Sequence, residues 1–128
     1  MRILLDTHAL FWSVEDPSKL STAALTAIQD PNTFRLLSAA TIWELAIKVG
    51  LGKLQLSLPF RPWMEKAISD LKLDILHVTV EYAERQAALP PHHKDPFDRM
   101  LIAQSLVERI RIVSIDTLFD AYGVTRLW

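Results

Sequence analysis

His92-His93-Lys94-Asp95-Pro96-Phe97-Asp98-Arg99-Met100-Leu101-Ile102-Ala103-Gln104 opens a helix with two carboxylates three residues apart and then turns apolar. Asp95 reads as the N-cap and Pro96 as the first helical residue. Asp98 falls at the third position, where an acid favours the helix dipole. A second reading competes with capping. A carboxylate at a helix mouth can also join acids from distant parts of the chain to hold a metal ion. The stretch alone leaves both readings open.

Working outward, this helix is expected to run from about Pro96 to Arg109. Arg111-Ile112-Val113-Ser114 follows as a short buried strand, and Asp116-Thr117 begins a short helix to about Asp120. Gly123-Val124-Thr125 is available as a last edge strand. Upstream, Arg2-Ile3-Leu4-Leu5, Phe34-Arg35-Leu36-Leu37 and Leu73-Asp74-Ile75-Leu76 are three more short strands. Helices are expected over 8–14, 22–29 (capped by Ser21), 39–49 (stopped by Gly50 and Gly52), 63–70 and 79–88. Lys53-Leu54-Gln55-Leu56 alternates polar and apolar, as a small strand or an extended flap would. Short apolar strands alternating with helices predict an α/β fold: a parallel sheet of four to five strands covered on both faces, in three layers. In such sheets the ligand crevice lies beyond the carboxyl ends of the strands.

The bulk numbers fit one domain spanning 1–128. A chain of this length buries about two-thirds of its unfolded surface. Half of the residues are apolar and 23% are charged, as in a compact globular chain. No apolar run approaches the roughly 20 residues of a membrane span, and Asp6 and His8 interrupt the only apolar stretch near the N-terminus. The absence of Cys excludes a disulfide framework and a thiolate metal site, and a cytoplasmic location is expected. The net charge of −1 gives no basic excess for nucleic acid. Affinity for one would have to come from a local patch, a metal or a partner chain.

The acids fall where the sheet rule points. Asp6 follows the first strand, and Asp116 follows the strand at Ile112-Val113. Each can also serve as a strand-to-helix cap. Glu44 is more informative, because Ile42, Trp43, Leu45, Ala46, Ile47 and Val49 make its helix apolar nearly all round. A buried carboxylate costs several kcal/mol unless compensated. An i,i+4 pair with Lys48 contributes only about 0.2–0.5 kcal/mol on a surface helix. Asp6, Glu44, Asp98 and Asp116 can therefore converge at one edge. Two like charges about 4 Å apart repel by about 4 kcal/mol at an effective dielectric near 20, so such a cluster either keeps a proton or binds cations. Carboxylate oxygens without Cys or a chelating His pair point to a hard ion, Mg²⁺ or Mn²⁺. Adjacent His92 and His93 suit two zinc ligands poorly and read as loop residues. His8 and His77 read as packing or surface histidines.

Several segments together resemble the PIN-domain family, and within it the VapC-type toxin ribonucleases of toxin–antitoxin pairs. They are Leu4-Leu5-Asp6-Thr7-His8, Ser38 with Thr41-Ile42-Trp43-Glu44-Leu45-Ala46-Ile47-Lys48, and Gly52-Lys53-Leu54. Asp95-Pro96-Phe97-Asp98-Arg99, Ser114-Ile115-Asp116 with Phe119, and the ending Tyr122-Gly123-Val124-Thr125-Arg126-Leu127-Trp128 complete the set. Their order and spacing carry the resemblance over nearly the whole chain. It implies a Mg²⁺- or Mn²⁺-dependent endoribonuclease whose metal and catalytic acids are Asp6, Glu44, Asp98 and Asp116. It also implies support from Asp95, Thr7 and Ser114, a homodimer, and a cognate antitoxin. Arg99 and Lys48 are candidate contacts to RNA phosphates.

Rival classes fit less well. A receiver domain should carry a Lys late in the sheet, but none follows Lys94. A haloacid-dehalogenase-like phosphatase should have Asp two residues after Asp6, where His8 stands. A PIN-like nuclease that is not a toxin, or a nucleic-acid-binding module with the acids as caps, remains the alternative.

Overall fold

The computed structural model describes residues 1–128. Its elements in chain order are β1 (Arg2–Leu5), α1 (Thr7–Glu15), α2 (Thr22–Gln29), β2 (Phe34–Ser38), α3 (Ala39–Gly50) and α4 (Phe60–Asp70). They are followed by β3 (Leu73–Leu76), α5 (Val80–Ala87), α6 (Pro96–Glu108), β4 (Arg111–Val113) and β5 (Arg126–Leu127). Short 3₁₀ segments occupy Pro17–Lys19 and Thr117–Tyr122. The five strands form one sheet in the order β3-β2-β1-β4-β5, and every pairing is parallel.

Leu4 of β1 sits opposite Leu36 on one side and Ile112 on the other, so β1 is the central strand. Alternation assigns its side chains to two cores. Ile3 and Leu5 join Leu37, Val113, Leu45 and Trp63 on one face. Leu4 joins Ile112, Leu101, Ile102 and Phe119 on the other. A strand buried on both faces has no polar side to show, which is why these strands read as unbroken apolar runs. The chain builds the sheet from β1 outward through β2 to β3, then returns to the opposite side of β1 for β4 and β5. The reversal leaves a crevice between the carboxyl ends of β1 and β4.

Arg35 ties the opposite edge together. It is buried in β2, and its guanidinium donates to the carbonyls of Ile28 and Asp30 at the end of α2 (2.9 Å each) and of Leu71 at the end of α4 (2.6 Å). One cation thus serves the negative ends of two helices. Arg35→Met is expected to lower unfolding free energy by about 2–4 kcal/mol, because buried carbonyls lose a charged donor. Chemical denaturation measures it.

Four boundaries differ from the sequence expectation. α4 begins at Phe60 rather than Trp63, since Pro62 lies within the first turn, where its missing N–H has no partner to lose. α3 continues through Gly50 to a cap at Leu51, and the left-handed residue is Gly52 (φ 73°). Lys53–Leu56 forms no strand, because the Lys53 and Leu54 N–H groups turn back to the Lys48 carbonyl. The last strand is Arg126–Leu127, not Gly123–Thr125, because Gly123 takes φ 74° to end the preceding 3₁₀ turn. α3 also departs in burial. Trp43 is 65% exposed and Ile47 38%, so this apolar helix buries one face and leaves the other open.

Candidate metal centre

The acids converge at the crevice that the topology creates. Asp6, Glu44, Asp95, Asp98 and Asp116 line one cleft of about 370 Å³, together with Thr7, His8, Lys48 and Ile115. Two other hollows of similar size, about 330 and 320 Å³, bring no comparable set of carboxylates together. Each acid of the cleft arrives by a simple local route. Asp6 ends β1 and caps α1, one oxygen accepting the Ala9 N–H at 2.8 Å. Asp95 caps α6 by accepting the N–H groups of Phe97 (2.8 Å) and Asp98 (3.1 Å). Asp116 caps the second 3₁₀ turn, its Oδ1 accepting from Leu118 at 2.9 Å.

Capping and site geometry therefore do not compete. A carboxylate has two oxygens. Asp116 commits Oδ1 to the cap and turns Oδ2 toward the imidazole of His93. Glu44 and Asp98 cap nothing. Glu44 is buried in the first half of α3, accepts a hydrogen bond from the Thr7 hydroxyl, and pairs with Lys48 at 3.2 Å. Ser114, fully buried, accepts the Asp116 N–H at 3.0 Å and holds the turn after β4.

The electrostatics follow from crowding. Five carboxylates line the cleft against the single lysine Lys48. Burial raises the Asp6 carboxyl above its ordinary value; the Ser114 hydroxyl, the Ala9 N–H and His8 oppose the rise, and Glu44 adds to it. Asp98 is pushed up to about 7, first by burial and then by the charges of Asp95, Glu44 and Asp6, against the pull of His93. Carboxyls held this high are short of positive charge. The donors are hard oxygens with no sulfur among them, and the deficit is of the kind a divalent cation fills. The residues present fit Mg²⁺ or Mn²⁺.

Two sequence expectations change. Arg99 does not face the cleft. Its guanidinium donates to the carbonyls of Gln86, Leu89, Pro90 and His93 and to the Tyr122 hydroxyl, which leaves it poorly placed for a phosphate. Lys48 does line the cleft. His93, read as a loop residue, brings its Nε2 to 3.1 Å from Asp98 and 3.3 Å from Asp116. The adjacency of His92 and His93 argues only against the pair as joint ligands; it says nothing against one of them. The available signal was position, since a residue two before an N-cap can fold its ring back onto the cap's N–H.

A five-stranded parallel sheet of this order, with acids gathered at the β1–β4 crevice, defines a class, and comparison with known proteins gives its name. The sequence model of the PIN domain matches residues 3–124. The chain belongs to the PIN domain family. It is 31% identical over 116 residues to Ribonuclease VapC22 of Mycobacterium tuberculosis, covering 89% of this chain and 86% of that protein. VapBC2 from Rickettsia felis, solved bound to a DNA fragment from its promoter, superposes with a TM-score of 0.72 at 14% identity, covering 98% of this chain and 97% of the other. FitAcB from Neisseria gonorrhoeae gives 0.62 at 20% identity, covering 97% and 95%.

Proposed function

We propose that this protein is a divalent-metal-dependent endoribonuclease and the toxin of a toxin–antitoxin pair. The observation that carries the proposal is the convergence of Asp6, Glu44, Asp98 and Asp116 in one cleft of a chain 31% identical to a ribonuclease. These four acids are the proposed catalytic set and would hold Mg²⁺ or Mn²⁺. When bound, such an ion neutralises charge on the scissile phosphate and lowers the pKa of a coordinated water.

The chain's own residues supply the rest. Glu44 and Asp98 are the carboxylates able to orient the attacking water and take its proton. Thr7 and Lys48 keep Glu44 aimed into the cleft, and Lys48 brings the lining's one lysine cation to an RNA phosphate. Ser114 and Asp95 support Asp116 and Asp98 through the turns they fix. Water adds to phosphorus, a P–O bond of the backbone breaks, and the leaving oxygen is protonated from solvent or from the cleft.

The proposed partners are RNA, a cognate antitoxin and a second copy of the chain. The matched VapBC structure supports the antitoxin. No helix is long and apolar enough to cross a membrane, in keeping with the cytoplasmic site proposed for RNA cleavage. The test is cleavage of total RNA by the purified chain with Mg²⁺ or Mn²⁺, with excess EDTA, and by Asp6→Asn. Cleavage is expected only in the wild type with metal, and the variant should fall by about 10³-fold or more, a loss of about 4 kcal/mol of transition-state stabilisation. Undiminished cleavage in EDTA would remove the metal from the proposal, and wild-type rates in Asp6→Asn would remove the site.

A further inference from the structure

His93 is held more firmly than a loop residue needs to be. Its backbone N–H donates to the Tyr122 hydroxyl at 2.7 Å, and that hydroxyl donates to the Pro90 carbonyl at 2.8 Å. Arg99 crosses the same loop, reaching the Pro90 carbonyl at 3.0 Å and the His93 carbonyl at 3.3 Å. The imidazole packs on Phe119 with ring centres 5.9 Å apart, and its side chain is only 9% exposed.

The ring's proton can be located by elimination. The Asp95 backbone N–H lies 3.2 Å from Nδ1 and can only donate. Nδ1 must therefore accept, which places the proton of the neutral ring on Nε2. That nitrogen faces Oδ2 of both Asp98 and Asp116. His93, Asp98 and Asp116 offer ligand atoms within 4.8 Å of one another, yet a nitrogen that carries a proton has no lone pair for an ion. The histidine belongs behind the carboxylates, not beside them on a metal.

We propose that His93 is a positioning residue: its Nε2–H, aimed by the Asp95 N–H and by the Arg99–Tyr122 clamp, fixes the Asp98 and Asp116 carboxylates for a divalent cation. This rests on the metal-dependent reading of the cleft. Outer hydrogen-bond partners of this kind orient metal ligands, and their loss weakens metal binding by about 10–100-fold. The role also accounts for Arg99, whose charge is spent on the loop that delivers the ring.

The test is Mn²⁺ affinity of the full chain, read from the electron paramagnetic resonance of free Mn²⁺, with no RNA present. His93→Phe keeps the packing on Phe119 and removes the donor, and should weaken Mn²⁺ about 10–100-fold, whereas His93→Gln, whose amide can donate, should stay within about threefold of wild type. Arg99→Met should lose affinity as well. In the wild type, nitrogen NMR of His93 should show the proton on Nε2 before and after Mg²⁺ is added. Equal Mn²⁺ affinity in wild type and His93→Phe overturns the positioning role while leaving the metal reading intact. So does equal loss in the Phe and Gln variants, or departure of the Nε2 proton on adding Mg²⁺. A wild type that binds no Mn²⁺ overturns both.

Discussion

Asp98→Asn is expected to melt higher than the wild type at pH 8 without metal, while losing RNA cleavage by about 10³-fold or more, as its proposed place at a catalytic ion requires. The stability gain follows from the direction of the proton shift. In the folded protein the Asp98 carboxyl is held at about 7 instead of 3.8, burial being the largest cause. Between those values the native state binds more protons than the unfolded chain, so stability falls as pH rises through this window. Ionising Asp98 in the fold therefore costs stability, a cost that grows as pH rises above about 4, is fully felt above pH 7 and is absent below pH 4. Asparagine removes the charge and keeps the shape. Differential scanning calorimetry of metal-free protein should show a gain of several degrees at pH 8 and little difference near pH 4. Added Mg²⁺ should raise the wild-type transition at pH 8 and leave the variant's almost unmoved. A variant less stable than wild type at pH 8 would contradict this crowding.

Trp63→Ala should be the most damaging single truncation in the fold. Trp63 is fully buried and stacks on Phe11 with ring centres 6.4 Å apart. Its indole N–H donates to Glu15 at 2.6 Å, and the same carboxylate oxygen accepts the Ser57 N–H (2.9 Å) and hydroxyl (2.8 Å). Removing the ring leaves a large cavity and strips a donor from an acid that fastens α1 to the segment before α4. The expected loss is about 3–5 kcal/mol, and Trp63→Phe should fall between it and wild type. The Ser57 N–H, the Trp63 N–H and the Ser57 hydroxyl hold the Glu15 carboxyl below its ordinary 4.5. Its share of stability is therefore present above pH 4.5 and disappears as pH drops below it. Urea denaturation at pH 7 and pH 3.5 reads both effects. Equal losses for the Phe and Ala variants would mean that the site collapses around the missing ring.

The layering of the fold was legible because β1, β2 and β4 are buried on both faces and so appear as short apolar runs between helix starts. The gathering of acids was legible for Asp6 and Asp116, since each follows a strand and the sheet rule puts strand ends at the crevice. For Glu44 the sequence signal is weaker. Its helix is not apolar all round in space, for Trp43 and Ile47 face outward. Glu44 is buried all the same, because it lies on the face that turns inward. Side-chain direction in loops was not legible. For His93 the spacing offers only its place two residues before the N-cap, and for Arg99 it offers nothing, because that guanidinium is held in part by the Tyr122 hydroxyl, 23 residues further on. The start of α4 and the position of β5 depend on which N–H groups need partners, a matter decided by the assembled structure.

That Asp6, Asp95 and Asp116 each cap a helix or 3₁₀ segment while lining the cleft bears on how such a chain would drift. Were cleavage no longer under selection, folding alone would still favour Asp6, Asp95 and Asp116, because each closes the start of a helix or 3₁₀ turn. Glu44 and Asp98 would have no such protection; their burial and crowding would be a standing cost. Glu44 and Asp98 are thus the two acids of the cleft whose presence capping does not explain, and the proposed metal site does.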